Sequence, residues 1–241
     1  MQLEKNLEEI LAQLKQKDLD FLDFLDKINQ AQLKNNLCYL ESVSINQEDI
    51  KLILDAVNLR SDINLKLKEL GNISSYRRQN ERQIDFQAMI VEISFSKLLW
   101  DKYKNLSKYL KNKLEIKSPE IASVFLSHKK EDFYINDKLN NLILNFDIKS
   151  QFLNNRYQSV NINQLAHTRF LNNQAQFYIV GLIDGDPKNF ESVKNIHFVI
   201  MPIDYFNNNK IDINEPPRPD IKQFSPYYRL DMKPFKDLLL L

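Results

Sequence analysis

The sequence predicts an α/β protein, a mixed central β-sheet flanked by helices, with a helical N-terminal region over 1–72 and the α/β core over 73–241. Three observations carry that prediction. Apolar residues recur at three and four over the first seventy positions, the period of an amphipathic helix. The run FYIVGLI at 177–183 is continuously apolar, as in a strand buried on both faces, and IHFVIMP at 196–202 reads as another strand. Strand patterns alternate with helical ones beyond residue 79, which argues for a layered sheet rather than a helical bundle. With 241 residues, 43% of them hydrophobic, the chain can bury one large core or a core with a helical appendage.

Taken in order, Leu3, Leu7, Ile10, Leu11 and Leu14 mark a first helix, and Leu19, Phe21, Leu22, Phe24, Leu25 and Ile28 a second apolar segment. The stretch SINQED at 44–49 caps a helix through Leu52, Ile53, Ala56 and Val57. GNISS at 71–75 is the clearest boundary. The following YRRQNER stretch holds Arg77 and Arg78, either a basic contact to DNA or the solvated first turn of a helix. A long helix is expected over 79–103, and Glu92 is its anomaly: it shares a face with Ala88, Met89, Phe95 and Leu99. A carboxylate in an apolar stripe needs a charged partner, a metal or water. The lysine-rich stretch 101–117 reads as a solvated helix end and loop, and 121–126 as a strand or short buried helix before a structural His128.

A hairpin follows. Residues 132–135 and 142–149 read as strands joined by the polar turn 136–141. Asp147 and Lys149 are two apart and so point to one face, and Asp132, which opens the first strand, is brought beside them. Two carboxylates can hold Mg²⁺ while leaving positions for water and a phosphate oxygen. A lysine beside them can orient the attacking water or neutralise charge on the phosphorane. The bland reading is a hairpin with charged ends. Beyond it, the strand continues through Gln151 and Phe152, and Arg156 lies in a polar stretch. Residues 159–170 read as a helix capped by Asn161 or Asn163 and presenting His167 and Arg169. DGDP at 184–187 is a turn, the chain from Phe206 is irregular, and 228–232 and 235–241 read as a short strand and a closing helix.

Composition excludes several classes. The three glycines, at 71, 181 and 185, leave no GxGxxG and no GxxxxGK[ST] loop. The lone Cys38 allows neither a disulfide framework nor a cysteine-rich zinc site, and fits a reducing compartment. The first twenty residues carry acids throughout and no apolar core, so no secretory signal is expected, and no apolar run approaches membrane-spanning length; a cytoplasmic protein is expected. The net charge of +1 advertises no bulk affinity for nucleic acid, though a balanced chain can still concentrate cations on one face.

An acid, a hairpin and then Asp-Ile-Lys-Ser at 147–150 resembles the core of the PD-(D/E)xK nuclease superfamily, the fold of many restriction endonucleases, over about 79–203. The resemblance implies a restriction-endonuclease-like core and a Mg²⁺-dependent endonuclease acting on double-stranded DNA, most plausibly a type II restriction endonuclease working as a homodimer. It matches Asp132 to the first metal acid, Asp147 to the second and Lys149 to the lysine, and it offers Glu92 as a further metal acid from the preceding helix. Glu131 stands where the motif's proline would be, which leaves Asp137 a rival to Asp132. Arg77, Arg78, Gln151, Arg156, His167 and Arg169 are the candidate DNA contacts. The alternative from another class is a non-catalytic helical DNA-binding or protein-interaction module.

Overall fold

The computed structural model describes residues 2–69, 81–117, 133–138, 142–154, 159–172, 176–215 and 226–240. They form an α/β architecture with a mixed six-stranded sheet, a second sheet of three strands, and helices on the large sheet. The N-terminal region supplies helix α1 (Gln2–Lys34), strand β1 (Cys38–Ser44) and helix α2 (Gln47–Glu69). Then come α3 (Glu81–Lys104), α4 (Lys108–Lys111), β2 (Leu114–Lys117), β3 (Phe133–Asp137) and β4 (Leu142–Phe152). The chain continues through β5 (Ser159–Asn163), α5 (Gln164–Asn172), β6 (Phe177–Asp184), β7 (Asn195–Pro202) and α6 (Ile203–Asn209). It ends with β8 (Ile211–Ile213), β9 (Tyr227–Asp231) and α7 (Lys233–Asp237).

The large sheet has the order β1-β7-β6-β4-β3-β2. β4 and β6 run parallel, joined through β5 and α5, and every other neighbouring pair is antiparallel. Period-two alternation sorts its side chains onto two faces. Phe133, Ile135, Phe146, Ile148, Phe177, Ile179, Phe198 and Ile200 belong to one apolar cluster with Phe21, Phe24, Ile53, Phe86, Ile90 and Phe95 of α1, α2 and α3. Tyr178, Val180, Leu182, Val199 and Met201, on the other face, pack with Val160, Ile162 and Leu230 of the small β5-β9-β8 sheet and with Phe206 and Phe235. β6 is therefore buried on both faces, as its unbroken apolar run requires.

Several local expectations change. Residues 38–44, inside the stretch read as helical, form β1: Leu40 is buried, and after a register shift between Tyr39 and Glu41 the half-buried Glu41 and Val43 alternate with the exposed Ser42 and Ser44, as in an edge strand. Residues 159–163 are a strand rather than the start of a helix, because Val160 and Ile162 point inward while Asn161 and Asn163 point out. The helix starts after Asn163, whose Oδ1 accepts from the Leu165 amide at 3.0 Å as an N-cap. Residues 114–117, read as loop, are strand β2, and the stretch from Phe206, read as irregular, completes α6 and enters β8. Asn136 and Asp137 extend β3 instead of opening the turn, and β4 runs on to Phe152. The readings of 121–126 and His128 lie outside the described residues.

Candidate active site at the edge of strand β4

β4 carries the site. It pairs with β3 from Leu142 to Phe146 and with β6 from Phe146 to Phe152. Among the described residues no strand continues β3's side of the ladder alongside 148–150. At that edge lies a cavity of about 210 Å³, lined by Ala88 and Glu92 of α3, residues 148–150 of β4, and Asn161 of β5. Ala88 and Glu92 are one helical turn apart, which puts both on the wall that α3 presents.

Asp147 and Lys149 share the β4 face that looks toward the small sheet, and the Lys149 ammonium forms an ion pair with Asp147 Oδ2. Their side chains keep only 12% and 21% of their exposure, so the pair is screened less than a surface one. Tyr178 stands beside Asp147 in the β4–β6 register, and the Lys149 Nζ lies 5.5 Å from the centre of its ring, within cation–π range. The phenol in turn sits 2.6 Å from His167 Nδ1 of α5. His167 packs against Phe206 and Tyr228, with ring centres at 4.7 and 5.2 Å. Burial, then the charges of Lys210 and Lys149, push His167 down to about 4, so its ring is neutral at pH 7.

Glu92 is 8% exposed, as is Asp147. α3 approaches from the opposite face of the sheet, where Val91 presses on Gly181, so Glu92 reaches the cavity around the edge of β4. Lys149 is the residue that joins the two carboxylates: it lines the cavity with Glu92 and is paired with Asp147. Asp147 itself does not line the cavity. Of the two buried carboxylates only Glu92 lines the cavity, with Lys149 between it and Asp147. Among the described residues no three His, Cys, Asp or Glu side chains gather closely enough to hold a metal by themselves.

Asp132, the first acid of the sequence motif, lies outside the described residues. β3 is described from Phe133, which is paired with Phe146, the residue before Asp147. Asp137 is fully buried on the same β3 face as Phe133 and Ile135, and its partner is Leu142, at the other end of the hairpin from Asp147. It therefore does not share Asp147's face.

The expected DNA contacts divide. Arg77, Arg78 and Arg156 lie outside the described residues, as does the side chain of Arg169 in α5. His167, at 3% exposure, is an interior residue that supports Tyr178 and does not face a ligand at the surface. Gln151 is also interior, at 7%, and its Nε2 meets no acceptor among the described residues. Gln151 is interior because the small sheet packs on this face of β4 and β6, which period-two alternation alone leaves open, and His167 because it lies on the face of α5 that packs against Tyr178, Phe206 and Tyr228. Two residues of the site escaped the sequence. Tyr178, the hydroxyl-bearing residue in the apolar run 177–183, was the available clue, while Asn161 was hidden by the helical reading of its segment.

No protein-family model matches the chain, and no curated protein or solved structure is significantly similar to it. Among the described residues no helix is long and apolar enough to cross a membrane.

Proposed function

We propose that this protein is a Mg²⁺-dependent endonuclease of the PD-(D/E)xK type, hydrolysing phosphodiester bonds in double-stranded DNA as a type II restriction endonuclease does. One observation carries the reading: Asp147 and Lys149 lie ion-paired on one face of a central strand, and Lys149 shares a cavity with the buried Glu92. The order of elements also supports it. α3, which bears an acid, precedes the β3–β4 hairpin that presents Asp-Ile-Lys-Ser, and α5, packed on the sheet, follows that hairpin after β5.

In this reading Asp147 and Glu92, together with Asp132, would hold Mg²⁺. The bound ion would polarise the scissile phosphate and acidify an attached water. Lys149 neutralises the oxyanion that develops on phosphorus, and its ammonium has three donors, so the bond to Asp147 leaves others for phosphate oxygens or the attacking water. Tyr178, steadied by His167, fixes the lysine head from beneath. Glu92 and Asp147 repel an unneutralised phosphate, which confines productive binding to the cation-loaded protein. Two strands must be cut and each chain carries one such set, so a two-fold dimer is the expected working form.

The test is incubation of the purified protein with phage DNA in Mg²⁺ and, separately, in EDTA. Discrete bands in Mg²⁺ alone support the reading. Intact DNA under both conditions across a range of sequences defeats it.

A further inference from the structure

The small β5-β9-β8 sheet turns Val160, Ile162 and Leu230 inward onto the large sheet. Among the described residues nothing packs across its other face. On β5 that face carries Asn161 and Asn163, both exposed, and on β9 it carries the exposed Arg229 with the half-buried Tyr227. The register sets Asn161 directly opposite Arg229 and Asn163 opposite Tyr227. Asn161 also lines the cavity that holds Glu92 and Lys149, so the face begins at the rim of the candidate active site. Paired Cα atoms in an antiparallel ladder are roughly 5 Å apart, and an arginine there therefore overlooks the ground beside the rim.

The Arg229 side chain makes no hydrogen bond, ion pair or ring contact among the described residues, although its backbone is held in the β5-β9-β8 ladder and Asp231 follows it by two on the same strand. Asp231 is otherwise engaged, since its Oδ1 accepts from the Lys233 amide at 2.8 Å at the start of α7. An arginine with an open fork, an asparagine amide and a tyrosine ring on one flat face form a set that suits nucleic acid: the fork takes phosphate oxygens, and the amide takes a base edge or sugar.

We infer that the outer face of the β5-β9-β8 sheet is a docking surface for duplex DNA, on which Arg229 grips a backbone phosphate neighbouring the one held in the cavity. This rests on the nuclease reading for the identity of the substrate, and it adds the element that seats it. The negative DNA backbone complements Arg229 and Lys149, and the surface is continuous with the cavity, so a single strand passing the rim meets both.

The experiment is a gel-shift titration of a duplex in EDTA at several salt concentrations, with Arg229→Ala, Arg229→Lys and, as a charge-matched control on the helical layer, Lys17→Ala. Arg229 is exposed, and thermal melts confirm that its variants fold. Arg229→Ala should weaken binding roughly tenfold or more and lower the slope of log K against log salt by about 0.9, one phosphate contact. Arg229→Lys should keep the slope while losing part of the affinity, because the charge stays and the fork goes. If Arg229→Ala behaves like Lys17→Ala while the parent binds and cuts, the docking surface is refuted and the nuclease reading stands. If the parent binds duplex but does not cut it in Mg²⁺, the nuclease reading fails alone, and Arg229→Ala still decides the surface. A parent that binds no duplex at low salt overturns both.

Discussion

Gly181→Ala tests how closely α3 is held to the sheet, and with it the placement of Glu92. Gly181 sits in β6 beside Ser150 of β4, itself a lining residue of the cavity. A Cβ added there would stand 2.2 Å from Val91 Cγ1, 2.9 Å from Cγ2 and 3.1 Å from Cβ. No atoms approach that closely, so either Val91 leaves its rotamer or α3 lifts off the sheet. Overpacking of this kind costs about 1–3 kcal/mol. Replacing glycine by alanine returns about 0.4–1 kcal/mol by restricting the unfolded chain. The expected net loss is therefore roughly 1–2 kcal/mol, and at about 2–4 °C per kcal/mol for a chain of this size, the melting temperature should fall by roughly 2–8 °C. Removing both γ-methyls with Val91→Ala relieves the two worst contacts. The double variant should then be more stable than the sum of the single losses implies, with a coupling of roughly 0.5–3 kcal/mol. Urea unfolding of the four proteins in the cycle measures this. Gly181→Ala matching or exceeding the parent in stability, or strict additivity in the cycle, would refute the argument. Because Glu92 follows Val91, cleavage by Gly181→Ala should fall further than its folded fraction accounts for.

Asp147→Ala, and the isosteric Asp147→Asn, should lower Mg²⁺-dependent cleavage by several orders of magnitude while binding duplex in EDTA at least as tightly as the parent, since an acid facing phosphate is gone; near-parental cleavage would show the assignment to be wrong. Acidification should expose His167: held near 4 when folded and near 6.5 when unfolded, it takes up a proton first in the unfolded chain, so its stabilising contribution is complete above about pH 6.5 and lost as the pH falls toward 4. At about 1.4 kcal/mol per pH unit that amounts to roughly 3 kcal/mol, and urea unfolding at pH 7 and about pH 4.5 should show a smaller acid loss in His167→Gln than in the parent; equal losses would contradict it. Sedimentation velocity with and without duplex should reveal a dimer in at least one state, and a monomer in both would count against the two-fold arrangement.

Much of the architecture was legible because its strongest patterns are local. The unbroken apolar run of β6, the strand pattern of β7 and the apolar face of α3 with Glu92 set in it argue for burial wherever they occur, and most of each is buried. Asp147 and Lys149 sharing a face follows from alternation alone. What failed was local pattern in short segments. In β1 and β5, seven and five residues long, a two-residue period competes with a neighbouring helical one, and tertiary pairing decides. For Gln151, alternation gives the face a side chain takes but not what later folds over that face, and for His167 the helical pattern does not show that α5 turns this residue onto Tyr178. The small sheet is assembled from β8, β9 and β5, the last of which ends about fifty residues before β8 begins, so no short window of sequence contains it.

β1 has a consequence for the free chain in solution. It is the outermost strand beside β7, whose residues from Phe198 to Pro202 are buried without exception. An unpaired, flat, apolar edge of that kind recruits strands from other molecules. β1 occupies it and is a poor template itself, because its ladder shifts between Tyr39 and Glu41, Glu41 is tied to Lys102, and Ser42 and Ser44 face solvent. The N-terminal region is thereby a shield as well as a packing layer: a chain trimmed to begin at α3 would present the β7 edge bare, and the expected fate is strand-to-strand association.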